Sequence, residues 1–238
     1  MDLQDADVGI IGTTFDDVLR AAAAGVAPCN ILKAGPSPNS KLNIACIGVG
    51  RRGAGVANSL AGGDNIVALC DVDQRRAGGS YRVFPKATRY RDFRVMLETE
   101  KGIDAVMVAT PDHNHAVVTM KALQMGKHVF CQKPLTHSVH EALQVAKAAR
   151  EAKVATQMGN QGQASEGTRL ICEYIWAGAI GKVREIHSWS NRRPDISPRG
   201  IPRPKDEPPV PPQLNWDLWL GPSPWRPFHG RFHIYGKP

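Results

Sequence analysis

Three groups of residues in this sequence have the types and spacing to do chemistry. The first is Gly48-Val49-Gly50-Arg51-Arg52-Gly53, followed about 20 residues on by an acid, Asp71. In such a motif Gly48 permits a tight turn and Gly50 lets the backbone come close to a pyrophosphate. Gly53 lets a helix pack closely on a strand, and that helix turns its N-terminus toward negative charge. Asp71 would accept hydrogen bonds from the hydroxyls of an adenosine ribose, and Arg52, inside the turn, is counted with the same site. The second group is Thr110-Pro111-Asp112-His113-Asn114-His115, in which Pro111 fixes a turn. Two histidines at i, i+2 are not a zinc site without further ligands, so His113 and His115 read either as loop contacts or as residues lining a cofactor or substrate. The third is Gln132-Lys133-Pro134. A lysine at a strand end can have its pKa lowered by burial and so move protons near neutral pH, although position alone also suits a solvated surface charge.

The elements that must hold these groups can be read from hydrophobic pattern. Leu42–Val49 is short, apolar and rich in β-branched residues, as a strand buried on both faces is. Ala54–Leu60 suits a helix, and Ile66–Cys70 is a second buried strand ending at Asp71. A helix is expected from Asp73, short or frayed, because Gly78 and Gly79 each cost about 1 kcal/mol against alanine in a helix interior. Phe93–Glu100 reads as a helix and Asp104–Ala109 as a third strand, placing Thr110–His115 at a strand's carboxyl end, where α/β sheets bind ligands. Ala116–Met125 is an amphipathic helix, His128–Cys131 a short strand, and Ser138-Val139-His140-Glu141 a capping box opening a helix to about Ala152. Val154–Met158 closes the unit. Strands alternating with helices of about 10–15 residues predict an α/β fold with a doubly wound parallel sheet, a Rossmann domain over 41–158.

Composition bounds the reading. A chain of 238 residues with 42% hydrophobic and 22% charged residues is ordinary for a globular protein, long enough for one domain and part of another. The net charge of +8 draws attention to Tyr81–Arg91, the densest basic-aromatic patch. No nucleic-acid module accompanies it, and a solvated edge of an α/β domain accounts for it better, so no nucleic-acid partner is expected. The five cysteines are widely spaced without a CxxC. Cys46, Cys70 and Cys131 fall in or beside strands as small hydrophobes, which argues against a metal or disulfide framework and fits a reducing compartment. No run reaches the roughly 18 apolar residues that span a membrane. Residues 1–40 read as a loosely ordered extension ending in Gly35-Pro36-Ser37-Pro38-Asn39.

With the glycine motif, Ala109–His115 and Gly126–Leu135 in this order, the chain resembles the Gfo/Idh/MocA oxidoreductases over roughly Leu42 to Phe228. Gln157–Gly162 and Gly178–Glu185 resemble one subgroup of that family. The resemblance implies a nicotinamide-dependent oxidoreductase acting on a sugar- or cyclitol-like secondary alcohol, with a homo-oligomer expected where the second domain is whole. The family's Glu-Lys-Pro maps onto Gln132-Lys133-Pro134, which makes Lys133 the catalytic residue beside the reacting hydroxyl. The cofactor would be held by Gly48, Gly50, Arg52, Gly53, Asp71, Thr110, Pro111, His115 and Gln132, with no metal. Asp71 favours NAD by repelling a 2′-phosphate, while Arg75 and Arg76 keep NADP open.

This sequence departs from the family pattern in four places. Gln132 replaces an acid and brings no charge to tune Lys133, and Gln163 stands where the subgroup often has a histidine. Residues 16–35 resemble an altered secretory leader without its twin arginine, so a periplasmic site is the alternative to a cytoplasmic one. The family's Asp-x-x-x-His segment is expected beyond Pro238, which leaves an NAD-binding chain without turnover as the alternative function. Residues 159–238 are then expected to begin an α+β substrate and oligomerisation domain. In it Glu166–Trp176 reads as a helix, Val183–Asn191 as a strand, and Pro194–Pro212, with eight prolines, as an extended arm. Trp216, Trp219 and Trp225 could face sugars but more readily pin a loop to its own domain.

Overall fold

The computed structural model describes residues 41–189 and 205–230. Expectations for residues 1–40, Cys29, the first part of the proline-rich arm and the last eight residues therefore lie outside the described residues. The described chain begins with β1 (Asn43–Ile47), α1 (Arg52–Leu60), β2 (Asn65–Cys70), α2 (Gln74–Val83) and β3 (Thr88–Tyr90). It continues through α3 (Phe93–Thr99), β4 (Ala105–Val108), α4 (His115–Gln124), β5 (His128–Gln132), α5 (Val139–Ala152) and β6 (Thr156–Gly159). After these come α6 (Glu166–Trp176) and α7 (Trp216–Leu220).

The six strands form one sheet in the order β3-β2-β1-β4-β5-β6, every pair parallel. Because side chains alternate across a strand, each central strand feeds two cores. Ile44, Cys46, Leu69, Met107 and Phe130 meet Val56, Ala57 and Leu60 of α1 on one face. Ala45, Ile47, Val106, Val108 and Val129 meet Met96, Leu97, Val118, Leu123 and Val145 of the opposite helices. Two apolar faces explain the unbroken apolar runs of β1 and β4, and the doubly wound parallel sheet expected from them is the one observed. Cys46, Cys70 and Cys131 are buried free thiols. Burial pushes the Cys46 thiol up to about 12 and that of Cys131 up to about 11, so both behave as small apolar side chains.

The structure corrects two local expectations. The helix after Asp73 is neither short nor frayed: α2 runs ten residues through Gly78 and Gly79. Asp73 caps it, accepting from the backbone N–H groups of Arg75 and Arg76 at 3.0 and 3.2 Å, and Ser80 donates to the Val49 carbonyl at 2.6 Å. A cap of about 1 kcal/mol and this tertiary anchor offset the glycines. The second correction concerns Val183–Asn191. Residues 183–189 form no strand; Ile186 and Trp189 are 82% and 84% exposed, and no described strand lies beside them to pair with. Helix α6 forms where expected, yet none of its residues is buried. The basic-aromatic patch contains β3, the edge strand of the sheet, with the Arg89 guanidinium 4.8 Å from the centre of the Tyr81 ring.

The predicted capping box is present at α5, where Ser138 and Glu141 each accept from the other's backbone N–H. At β5 the His128 Nδ1 accepts the Ala155 N–H at 2.9 Å, which requires a neutral ring. Burial holds the pKa of His128 below its ordinary 6.5; Lys127 adds to this and Asp104 opposes it. The folded state therefore binds fewer protons than the unfolded chain in this window. Stability is fully present above pH 6.5 and is lost as pH falls from there toward the depressed folded value. Urea melts between pH 7 and 5.5 should show this slope, and His128→Gln should flatten it.

Candidate dinucleotide and substrate site

The site is built on the carboxyl ends of β1, β2, β4 and β5. Leaving β1, Gly48 turns at φ 79° and donates its N–H to the Cys70 carbonyl at 2.8 Å. A side chain at Gly48 would come within 2.6 Å of the Ala109 carbonyl, and one at Gly53 would overlap the Gly48 carbonyl oxygen. Gly50 has more room, its nearest neighbour being the Arg76 side chain at 3.1 Å from where a Cβ would sit. The turn thus presents bare backbone and opens α1 toward a cavity of about 700 Å³, a size that suits a small-molecule ligand.

Asp71 follows β2 on the same side of the cavity. Its Oδ2 accepts the Val49 N–H and its Oδ1 the Asp73 N–H, both at 2.9 Å. Burial pushes its carboxyl pKa up, against the opposing pull of these backbone donors. The carboxylate is held in place by the glycine turn, with remaining acceptor capacity on the cavity side. Arg52, at the start of α1, borders the cavity and reaches Gln161 beyond β6, donating at 3.3 Å.

Beyond β4, Thr110 and Pro111 line the cavity floor. His115 opens α4 and is 1% exposed; its Nδ1 lies 2.6 Å from the Pro134 carbonyl and its Nε2 2.8 Å from the Thr110 carbonyl. Both ring nitrogens are thereby engaged, and the imidazole braces the loop after β4 against the loop after β5. His113 takes a different post: its Nε2 lies 2.8 Å from the Trp219 carbonyl. Burial pushes its pKa down, with His137 and Arg226 adding to this and the Trp219 hydrogen bond and Asp112 opposing.

Gln132 and Lys133 end β5 at the far side of the cavity. Gln132 is 4% exposed, yet its amide Nε2 has no hydrogen-bond partner among the described residues, and neither has the buried Thr110 Oγ1. Both residues border the cavity, while the Gln132 amide itself packs beside Gly159 of β6, where an added Cβ would stand 2.6 Å from Nε2. Lys133 is exposed to the cavity and makes no hydrogen bond or ion pair among the described residues. Nine of the ten residues assigned to the site from sequence border this cavity, and Gly53 lies behind it, packing α1 onto the turn. No cluster of three or more metal-ligating side chains occurs among the described residues, and no described helix is long and apolar enough to cross a membrane.

Sequence reasoning did not place the segment after the proline-rich arm at this cavity. Leu218 and Trp219 of α7 line it. Leu214, Trp216, Leu220 and Phe228 form a third small core against Val72. Trp216 and Trp219 do pin their segment, as their proline-rich setting suggests, but to the carboxyl edge of the sheet; Trp225 remains 73% exposed. The only sequence signal was the density of tryptophan and proline, which does not identify a docking surface.

Residues 42–160 match the Gfo/Idh/MocA family, described as an oxidoreductase family with an NAD-binding Rossmann fold. The chain is 28% identical over 160 residues to a 2,7-anhydro-N-acetylneuraminate hydratase of Escherichia coli, covering 66% of this chain and 42% of the relative. An inositol 2-dehydrogenase of Rubrobacter xylanophilus is 29% identical over 164 residues, 67% of this chain and 46% of the relative. The solved myo-inositol 2-dehydrogenase of Lactobacillus plantarum superposes with a TM-score of 0.57 at 29% identity, over 60% of this chain and 43% of that one. The chain spans less than half the length of these relatives.

Proposed function

We propose, for a chain that belongs to the Gfo/Idh/MocA oxidoreductase family with its NAD-binding Rossmann fold, that residues 41–158 hold NAD for hydride transfer to or from a secondary alcohol of a sugar- or cyclitol-like substrate. Residues 159–238 begin a substrate domain on this reading, and residues 1–40 precede both. The observation that carries it is the convergence on one cavity of a glycine turn closed to side chains, a backbone-anchored Asp71, and Gln132 and Lys133 from the end of β5. Gly48 and Gly50 would admit the pyrophosphate to backbone at the α1 N-terminus. Asp71 would take the adenosine ribose hydroxyls, and its charge favours NAD over NADP. Gln132 and Thr110 would hydrogen-bond the nicotinamide side, where Pro111 and the His115-braced loop set the floor.

When bound, the nicotinamide supplies the hydride acceptor or donor. The chain's own part is to orient the alcohol and move its proton, a role that Lys133 at the cavity would take. One relative is named a hydratase, so substrate trials should follow product formation as well as net reduced cofactor. Calorimetric titration of the 238-residue chain with NAD tests the reading. Saturable binding is expected, weaker for NADP. Asp71→Ala should weaken NAD by roughly 10- to 100-fold, as loss of hydrogen bonds to a charged group does. A folded chain without NAD binding would overturn the proposal.

A further inference from the structure

The cavity has a wall that is remote from its other walls in sequence. Residues 213–221 cross the carboxyl ends of the sheet and are tied down at both ends. The Gln74 N–H and the Arg91 guanidinium both donate to the Gln213 carbonyl at 3.2 Å. Leu214 bridges Asp73 in antiparallel fashion, and the Asn215 N–H donates to the Val72 carbonyl at 2.9 Å. At the other end the Trp219 carbonyl accepts from Asn114 Nδ2 at 2.9 Å and lies 2.8 Å from His113 Nε2. Gly221 follows at φ 52°, where a side chain would overlap the Asn114 amide. These ties run from the ends of β2 and β3 to the loop after β4. In the order β3-β2-β1-β4-β5-β6 the segment thus spans the crevice from the Asp71 side to the loop after β4, and none of these ties reaches Gln132 or Lys133 at the end of β5.

Between the ties, Leu218 and Trp219 line the cavity. The Trp219 indole is stacked on the buried Trp216, centroids 4.6 Å apart and planes at 12°, and meets the His113 ring edge-on at 5.0 Å. The Asn215 side chain accepts the Leu218 N–H at 3.0 Å and fixes the turn that presents both residues. An indole held this way has little rotamer freedom left to lose when a flat ring packs against it.

We infer that Leu218 and Trp219 belong to the dinucleotide site and form the apolar wall against which the adenine ring packs, held in place by His113 and Asn114. This rests on the NAD reading above. It assigns His113 and Asn114 to positioning the wall, and it makes a segment beyond residue 212 part of a pocket whose other walls lie between Ile47 and Lys133.

The test uses the full chain with NAD and ADP-ribose as probes, read by calorimetry and by tryptophan fluorescence. Trp219→Ala should weaken both probes by about tenfold, the loss expected for one base–aromatic stack, and by the same factor, because ADP-ribose lacks only the nicotinamide. Trp219→Phe, which keeps an aromatic ring and the fold, should bind NAD within about threefold of wild type. It should also lose most of the fluorescence change that NAD produces in wild type. Unchanged affinity in Trp219→Ala, or an undiminished fluorescence change in Trp219→Phe, would overturn the inference while leaving the NAD reading intact. A loss confined to NAD and absent with ADP-ribose would overturn the placement at adenine. No NAD binding by folded wild type would overturn the NAD reading and this inference with it.

Discussion

Gly53→Ala is expected to destabilise the chain by about 3 kcal/mol, although alanine is the better helix former. On propensity alone the substitution in α1 should stabilise by about 1 kcal/mol. The new Cβ, however, would overlap the Gly48 carbonyl oxygen and stand 3.3 Å from the Ala109 side chain. The obstructing atom is backbone, and the turn that carries it is tied by the Gly48 N–H to the Cys70 carbonyl at 2.8 Å and by the Gly53 N–H to the Gly50 carbonyl at 2.9 Å. Overpacking against parts that cannot turn away lies at or beyond the upper end of the usual cost of about 1–3 kcal/mol. For a domain of this size that lowers Tm by roughly 10 °C, and the displaced turn should also lose NAD. Gly55, two residues on in the same helix, is exposed and has nothing within 4 Å of where a methyl group would sit. Gly55→Ala should therefore raise Tm by about 2–3 °C, in keeping with propensity. Differential scanning calorimetry of the pair checks both signs at once; equal shifts would mean that the turn is not close-packed.

The glycine turn and Asp71 were legible in the sequence because both act through backbone. A turn that only glycine can make, and an acid one strand away, leave a local spacing that survives in any context. The buried strands were legible for a related reason: Ile44 to Ile47 and Ala105 to Val108 face helices on both sides, so no polar residue interrupts them. The length of α2 was not, since Asp73 caps its first turn and Ser80 anchors it to the Val49 carbonyl, and the cost of the two glycines records neither. The wall at Leu218 and Trp219 was hidden more deeply. Its position depends on Val72, Gln74, Arg91, His113 and Asn114, which follow β2, β3 and β4 more than 100 residues earlier. The directions that His113 and His115 face could not be read from the sequence, because one imidazole two residues from another can face opposite ways. Here His115 faces the interior between two carbonyls and His113 faces the wall.

Lys133→Ala should leave NAD binding within about threefold and lower turnover of a sugar or cyclitol by about 10²- to 10⁴-fold, the usual contribution of one general acid–base group. Lys133 shares the cavity with His113, His115 and Asp71, titratable residues also singled out from the sequence. His115 has both nitrogens committed to carbonyls, His113 is tied to the Trp219 carbonyl, and Asp71 is held by two backbone donors on the half of the crevice away from β5. Lys133 borders the same cavity, next to an amide rather than a carboxylate, and is not drawn into an ion pair among the described residues. Lys133→Arg separates proton transfer from simple positive charge, because a guanidinium stays protonated. It should be as inactive as Lys133→Ala, whereas added methylamine should restore part of the activity to the alanine variant and none to the arginine variant. Turnover of Lys133→Arg near the wild-type rate would assign Lys133 to substrate binding and place the proton elsewhere.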